Sequence, residues 1–175
     1  MISEYDIATT VISVIKDGLK LLEMEKTWGV IQGAQSVVHS LERPTLVLTS
    51  LYRNRYGWQH SKDVIQNGNF LHKEFIYQIV GFQLSAFKID RNNQLSAMDA
   101  ASNIAMYLNS EMAVRSLQSK GYGINKISEI RGGIWIDETD RYEISPNFDF
   151  EISLRQELVS YEEPATAITG LIKGV

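Results

Sequence analysis

Two segments of the chain carry apolar residues at the spacing of an amphipathic helix. Each begins with the same S-x-x-D capping box, Ser3 with Asp6 and Ser96 with Asp99, in which two side chains satisfy backbone N–H groups of the first turn. The second segment is predicted to run unbroken until just before Gly121. The apolar positions are Ile7, Val11, Ile15, Leu19 and Leu22 in the first segment, and Ala97, Ala101, Ile104, Leu108, Met112 and Leu117 in the second.

Further stretches have the composition or alternation of β-strands. They are Thr45–Tyr52, Glu74–Ile89, Gly123–Arg131 with a resumption at Ile134–Ile136 after a Gly-Gly break, and Phe148–Leu154. The second is apolar on both faces, which indicates a central strand, whereas the last alternates cleanly between apolar and polar residues. Trp28–Ser40 is left unassigned. Since no regular β-α-β alternation appears, the predicted fold is α+β, with a mostly antiparallel sheet packed on two long helices.

A long polar stretch, Arg53–Lys73, separates the first two strands and is predicted to form a protruding loop or hairpin. It contains the turn signal Asn67-Gly68 and a mixture of basic and aromatic residues: Arg53, Arg55, Tyr56, Trp58, His60 and Lys62. Such residues dominate protein interfaces. They also stack and clamp single-stranded nucleic acid. A third interpretation is a solvated loop whose Trp58 folds back onto the core.

The end of the chain has weak periodicity. Residues 162–175 contain Pro164, Gly170 and Gly174 and are predicted to form a C-terminal arm, while residues 1–161 form one α+β domain. Three apolar residues of the arm fall outside any core element and are therefore interface candidates, together with Arg53, Arg55, Tyr56 and Trp58. They are Ile168, Leu171 and Ile172.

Composition narrows the classes of function. The 175 residues include no cysteine, which removes disulfides, thiolate metal sites and cysteine nucleophiles. The net charge of −4 disfavours tight binding of DNA or RNA and favours the interface interpretation of the polar stretch. An acidic N-terminal segment without a long apolar run predicts synthesis in a cytoplasm and no membrane association.

Candidate chemistry is sparse. His39, His60 and His72 lack metal-ligand spacing. Gly121-Tyr122-Gly123 follows a helix where a dinucleotide fingerprint would follow a strand. The acidic cluster Asp137–Asp140 has the pattern of a hairpin turn and lacks that of a calcium loop. No catalytic residue, metal or cofactor is therefore predicted.

The C-terminal half nevertheless resembles a known family. The segments concerned are Glu74–Phe87, Ser96–Ala101, Gly121–Ile124, Ile130-Arg131, Asp137–Asp140, Arg141–Glu143 and Pro146–Phe150. The N-terminal segments agree more loosely through the opening helix, Gly29–Gln35, Pro44 and Arg55–Trp58. This pattern resembles the neck and tail-terminator proteins of long-tailed bacteriophages.

The resemblance implies a specific role. Such proteins are similar in having an α+β domain that closes into a hexameric ring, which caps the tail tube and joins the tail to the head. The implied partners are further copies of the chain, the tail tube, possibly the sheath, and a head-completion or connector protein, with DNA passing through unbound. The implied location is the virion neck, after synthesis in the host bacterium. The alternatives are another neck, tube or head-completion ring, a small monomeric binding module and, third, an enzyme.

Overall fold

The computed structural model describes residues 2–33, 43–66, 69–87, 95–136 and 142–162. Within these ranges the chain forms three helices and six strands. The helices are α1 (Glu4–Leu21), α2 (Ala97–Leu108) and α3 (Glu111–Ser119), and the strands are β1 (Gly29–Gln32), β2 (Thr45–Gln66), β3 (Asn69–Phe87), β4 (Tyr122–Ile127), β5 (Arg131–Ile136) and β6 (Tyr142–Glu162).

The strands form a single sheet in the order β1-β2-β3-β6-β4, with β5 also paired to β6. Only β1 and β2 run parallel, and every other described pair is antiparallel. The strand β3 lies between two long neighbours, as its two apolar faces indicate. The predicted α+β class with a mostly antiparallel sheet is therefore confirmed, and β1 fills part of the stretch that the sequence left unassigned.

The core lies between the helices and one face of the sheet. The buried face of α1 and the small residues of α2 pack against alternate residues of β2, β3 and β6, including the fully buried rings of Phe82, Phe148 and Phe150. The sequence period explains this layer, because apolar residues recur every three or four positions in the helices and every second position in the strands.

Both predicted capping boxes are present. Ser3 accepts a hydrogen bond from the backbone N–H of Asp6 at 3.1 Å, while the Asp6 carboxylate accepts one from the Ser3 backbone at 3.0 Å. The hydrogen bonds from the Ser3 side chain and backbone hold the pKa of Asp6 below its usual value. Ser96 and Asp99 repeat the arrangement at α2.

The prediction of one long second helix is wrong. The helix ends at Leu108, and Ser110 caps a new helix by accepting a hydrogen bond from the backbone of Ala113 at 3.4 Å. Asparagine and serine at 109 and 110 favour caps over helix interiors, and they interrupt the apparent period. As a result α3 buries Ala113 and Leu117, whereas Met112, predicted on the apolar stripe, is 60% exposed.

Several strand boundaries also differ from the prediction. The Gly-Gly pair predicted to break a strand lies inside β5, where a Cβ at Gly133 would lie 2.7 Å from the carbonyl oxygen of Ser145. Glycine there permits close strand approach. The final strand β6 extends well beyond Phe148–Leu154 at both ends. The predicted turn at 137–140 lies outside the described residues, and so does the predicted C-terminal arm at 162–175 except for Glu162, the last residue of β6. None of the described helices is long and apolar enough to cross a bilayer.

Candidate assembly surface

The stretch predicted as a protruding loop or hairpin is a hairpin of two long strands. β2 and β3 remain paired out to Gln66 and Asn69, and β6 adds a third strand along β3 as far as Phe70. We call the distal part of these strands the arm, comprising residues 53–66, 69–79 and 155–162. The hydrophobic core of the described residues contains none of them, so the arm extends beyond the packed body.

A polar network fixes the base of the arm. The Nε of Arg53 donates to Oε1 of Gln78 at 2.7 Å, and the amide nitrogen of Gln78 donates to Gln156 at 2.7 Å. The guanidinium also reaches the backbone carbonyl of Ile2 at 3.2 Å, which ties the arm to the start of α1. Gln78 is only 7% exposed, so these hydrogen bonds offset the cost of burying its amide. Arg53, predicted at an interface, is thus engaged within its own chain.

A bulge of three residues interrupts β2 within the arm. Tyr56 pairs with Tyr77 and His60 with Phe75, so residues 57–59 lie opposite Ile76 alone. Gly57 has φ +77°, a backbone conformation that residues other than glycine rarely adopt. The bulge leaves the side chain of Trp58 88% exposed. The interpretation in which Trp58 folds back onto the core is therefore wrong.

Aromatic and charged side chains of all three strands meet on the arm. The His60 ring stacks on Phe75 with 5.9 Å between centroids, and the Arg155 guanidinium lies 5.5 Å from the centroid of Phe75. Lys73 and Arg155 both pair with Glu157, at 3.2 and 3.6 Å. Sequence reasoning missed Phe75 and Arg155 because only the register between strands brings them together.

A recess of about 200 Å³ opens on the arm beside the bulge. Its walls combine apolar groups, two carboxylates, amides and one guanidinium. The walls include Arg55, Gln59, Glu74, Ile76, Gln78 and Leu158. Arg55, predicted as an interface anchor, is thus a wall of this recess. Tyr56, also predicted, lies 67% exposed beside it on β2.

Away from the arm, a tyrosine bridges three strands of the body. The ring of Tyr52 lies over Gly81 of β3, and its hydroxyl donates to Glu151 of β6 at 2.8 Å. This hydrogen bond, with burial and the charge of the carboxylate, raises the pKa of Tyr52. Asp149, in the same strand as Glu151, accepts from Gln83 and pairs with Arg131.

Among the remaining candidates, those within the described residues do not come together as a metal-binding group. His72 lies 2.6 Å from Asp63 and 3.6 Å from Glu74 on the arm, and no group of side chains in the described residues could hold a metal ion. His39 lies outside the described residues. So do Ile168, Leu171 and Ile172, which remain predicted interface residues.

Comparison with known proteins points to one family. No curated protein matches the sequence. Among solved structures, the chain is similar to the sheath/tube terminator of PVC, an extracellular contractile injection system, in its extended state. The TM-score is 0.56 at 8% identity, and the match covers 100% of this chain but only 64% of the other. At that identity the likeness establishes a shared fold alone.

The family match is more specific. The model of the E217 gateway protein gp29 family matches residues 6–162, which include all the described helices and strands except the first two residues of α1. The predicted assignment to bacteriophage tail-terminator and neck proteins, which are structural proteins of the virion tail, is confirmed. The chain belongs to the E217 gateway protein gp29 family.

Proposed function

We propose that this chain ends the bacteriophage tail tube as a closed homohexameric ring at the neck and joins the tail to the head. The family match over residues 6–162 carries this proposal, because it spans the body and the arm together. The fold likeness to a sheath/tube terminator supports the same role and suggests the tube and sheath as partners. The hexamer rests on the resemblance to ring-forming terminators.

The arm is the surface best suited to assembly. Beyond Leu48, the outer edge of β2 has no partner among the described strands, and the same holds for β6 beyond Leu154. Open strand edges favour pairing or docking of another chain. Exposed apolar side chains along these edges add to this tendency: Tyr56, Trp58, Ile65, Leu158 and Val159. A head-to-tail interface between two different surfaces produces a closed ring when the rotation that relates neighbouring subunits divides a full turn evenly.

The proposal also assigns roles to the parts of the chain and names its partners. Residues 1–161 act as the ring-forming domain. Residues 162–175 act as the C-terminal arm, which contacts a neighbouring subunit through Ile168, Leu171 and Ile172. A head-completion or connector protein binds the other side of the ring. DNA passes without specific contacts, the subunits are made in the host cytoplasm, and the protein carries out no catalysis.

Native mass spectrometry tests the ring. The protein would be measured alone and after mixing with purified tail tubes of the same virus. We expect a species of six 19.8-kDa subunits in at least one condition. Negative-stain images of the mixture should show a ring at one end of each tube. A strict monomer in both conditions, with bare tube ends, would exclude the proposed role.

A further inference from the structure

We propose that Trp58 of one subunit inserts into the recess on the arm of the next copy of this chain, as a knob into a hole. This inference rests on the proposed ring and names the contact that builds it. Arg55 and Trp58, both predicted interface residues, then act on opposite sides of two successive interfaces. Arg55 is part of the hole and Trp58 is the knob.

The knob is held in an exposed position by the backbone. Three residues of β2 face a single residue of β3, and Gly57 at φ +77° sets the direction in which the strand leaves its ladder. A tryptophan side chain buries about 150–250 Å² when it packs, yet Trp58 is 88% exposed. Tryptophan is enriched among the anchor residues that dominate the binding energy of protein interfaces.

The hole has the size of one aromatic side chain. An apolar cavity of about 150 Å³ accommodates a benzene molecule. The recess of about 200 Å³ therefore suits one ring system of indole size. Ile76 and Leu158 offer apolar walls, and the guanidinium of Arg55 is available to lie against an indole face. The Glu74 carboxylate offers an acceptor for the indole N–H, which a buried tryptophan requires.

The occupant is a second copy because each chain carries both halves of the contact. Its own Trp58 does not fill the recess, since that side chain is almost fully exposed. Knob and hole are formed by different side chains of the arm, so a junction in which one knob enters one hole leaves a knob and a hole free at its ends. Repetition of such a junction generates a ring. The open outer edge of β2, which carries the knob, leaves space for a neighbouring arm.

Photo-crosslinking tests this contact directly. A copy with a photoreactive benzophenone side chain in place of Trp58 would be mixed with a nitrogen-15-labelled copy of the natural sequence and assembled, with or without tail tubes. We expect crosslinks from the light peptide of residue 58 to heavy peptides containing Ile76 or Leu158. The same group in place of Met112, also exposed but on α3, should give no link to those peptides.

Several outcomes would overturn the inference. Rings seen by native mass spectrometry whose crosslinks reach only the tube protein, another surface, or the recess of the same light chain would refute the contact and leave the ring intact. Absence of any ring would refute both proposals.

A complementation experiment checks the direction of the interface. Trp58→Ala removes the knob and Leu158→Arg blocks the hole, and both positions are exposed, so both variants should melt like the natural protein. Each alone should fail to form rings. Their equal mixture retains one productive junction and should give dimers at subunit concentrations where neither variant associates alone. Normal rings from either variant would refute the proposal.

Discussion

The ring of Tyr107 in α2 occupies the space that a side chain at Gly18 of α1 would need. A Cβ built on Gly18 would lie 2.4 Å from Cδ1 of Tyr107, well inside van der Waals contact. The two helices therefore approach closely only because residue 18 is glycine, although glycine weakens the interior of a helix. Packing thus outweighs helix propensity at this position.

Gly18→Ala should consequently destabilise the protein. Alanine gains about 1 kcal/mol of helix propensity over glycine. Overpacking a core typically costs about 1–3 kcal/mol, and the clash with a fully packed ring places this site at the upper end. We expect a net loss of about 1–2 kcal/mol in the free energy of unfolding, measured by urea denaturation. Gly132→Ala is the control, because a Cβ there meets no atom within 4 Å. Equal stability of the two variants would contradict the packing argument.

The hydrogen bond from Tyr52 to Glu151 should make stability depend on alkaline pH. Because the pKa of Tyr52 is raised above 10.0 in the folded state, its contribution is present below pH 10 and is lost as pH rises through the folded pKa. The melting temperature of the natural protein should therefore fall more steeply above pH 10 than that of Tyr52→Phe. Tyr107, whose pKa is also raised, remains in both proteins and cancels in the comparison. Parallel curves for the two proteins would contradict the prediction.

The base of the arm should be sensitive to loss of Arg53. Arg53→Ala leaves the buried amide of Gln78 and the half-buried amide of Gln156 with fewer partners, at a cost of about 1–3 kcal/mol in unfolding free energy. Amide hydrogens of the distal β2 and β3 strands should also exchange faster. Arg115→Ala is a matched control, because that arginine pairs with Glu111 on an exposed helix face, worth about 0.5 kcal/mol or less. If both variants lose equal stability, the network does not hold the arm.

Double substitution Arg55→Ala and Trp58→Ala should separate folding from assembly. Both side chains lie outside the core, so the melting temperature should stay within a degree or two of the natural protein. Loss of a true hot spot costs about 2 kcal/mol or more per interface, so the ring should require at least about thirtyfold more protein to form. Sedimentation velocity would measure this, with Met112→Ala as the exposed control. Unchanged assembly would mean that Arg55 and Trp58 of the arm do not contribute to the interface.

DNA should bind only weakly. Several basic groups are already engaged by the chain itself, since Lys73 and Arg155 pair with Glu157, and Arg131 with Asp149. Each contact with a phosphate strengthens DNA binding and adds about −0.9 to the slope of the logarithm of the binding constant against the logarithm of the salt concentration. A channel through which DNA passes freely must therefore avoid such contacts. Filter binding at physiological salt should give a dissociation constant weaker than about 10⁻⁶ M. Tighter binding that Arg55→Ala abolishes would identify the arm as a nucleic-acid site.

The body of the fold is predictable from the sequence because residues that face the core are apolar and recur at the period of their helix or strand. The stripe from Ile7 to Leu19 and the alternation from Phe148 to Leu154 both face the core, and both were recognised. The arm is different. Neither face of its strands is covered by the core, so polar residues such as Asn54, His60 and Lys62 obscure the period of two. Only the pairing register reveals it.

The candidate site shows the same limit. Trp58 and Arg55 could be selected by residue type, but their separation into a knob and a recess depends on the bulge at Gly57. Phe75 and Gln78 of β3 meet Leu158 of β6, a strand distant in sequence, and no local pattern signals that meeting. The break between α2 and α3 was within reach, because Asn109-Ser110 is itself a capping signal.

The central position of β3 has a mechanical consequence. From Phe70 to Ser85 it pairs with a strand on each side, apart from the bulge of β2 opposite Ile76, and it runs unbroken from the arm into the core. A pull on the arm along its length is therefore carried as shear by two hydrogen-bond ladders, whose bonds must yield together rather than one after another. A subunit held by its arm would act as a stiff tether between neighbouring parts of the particle.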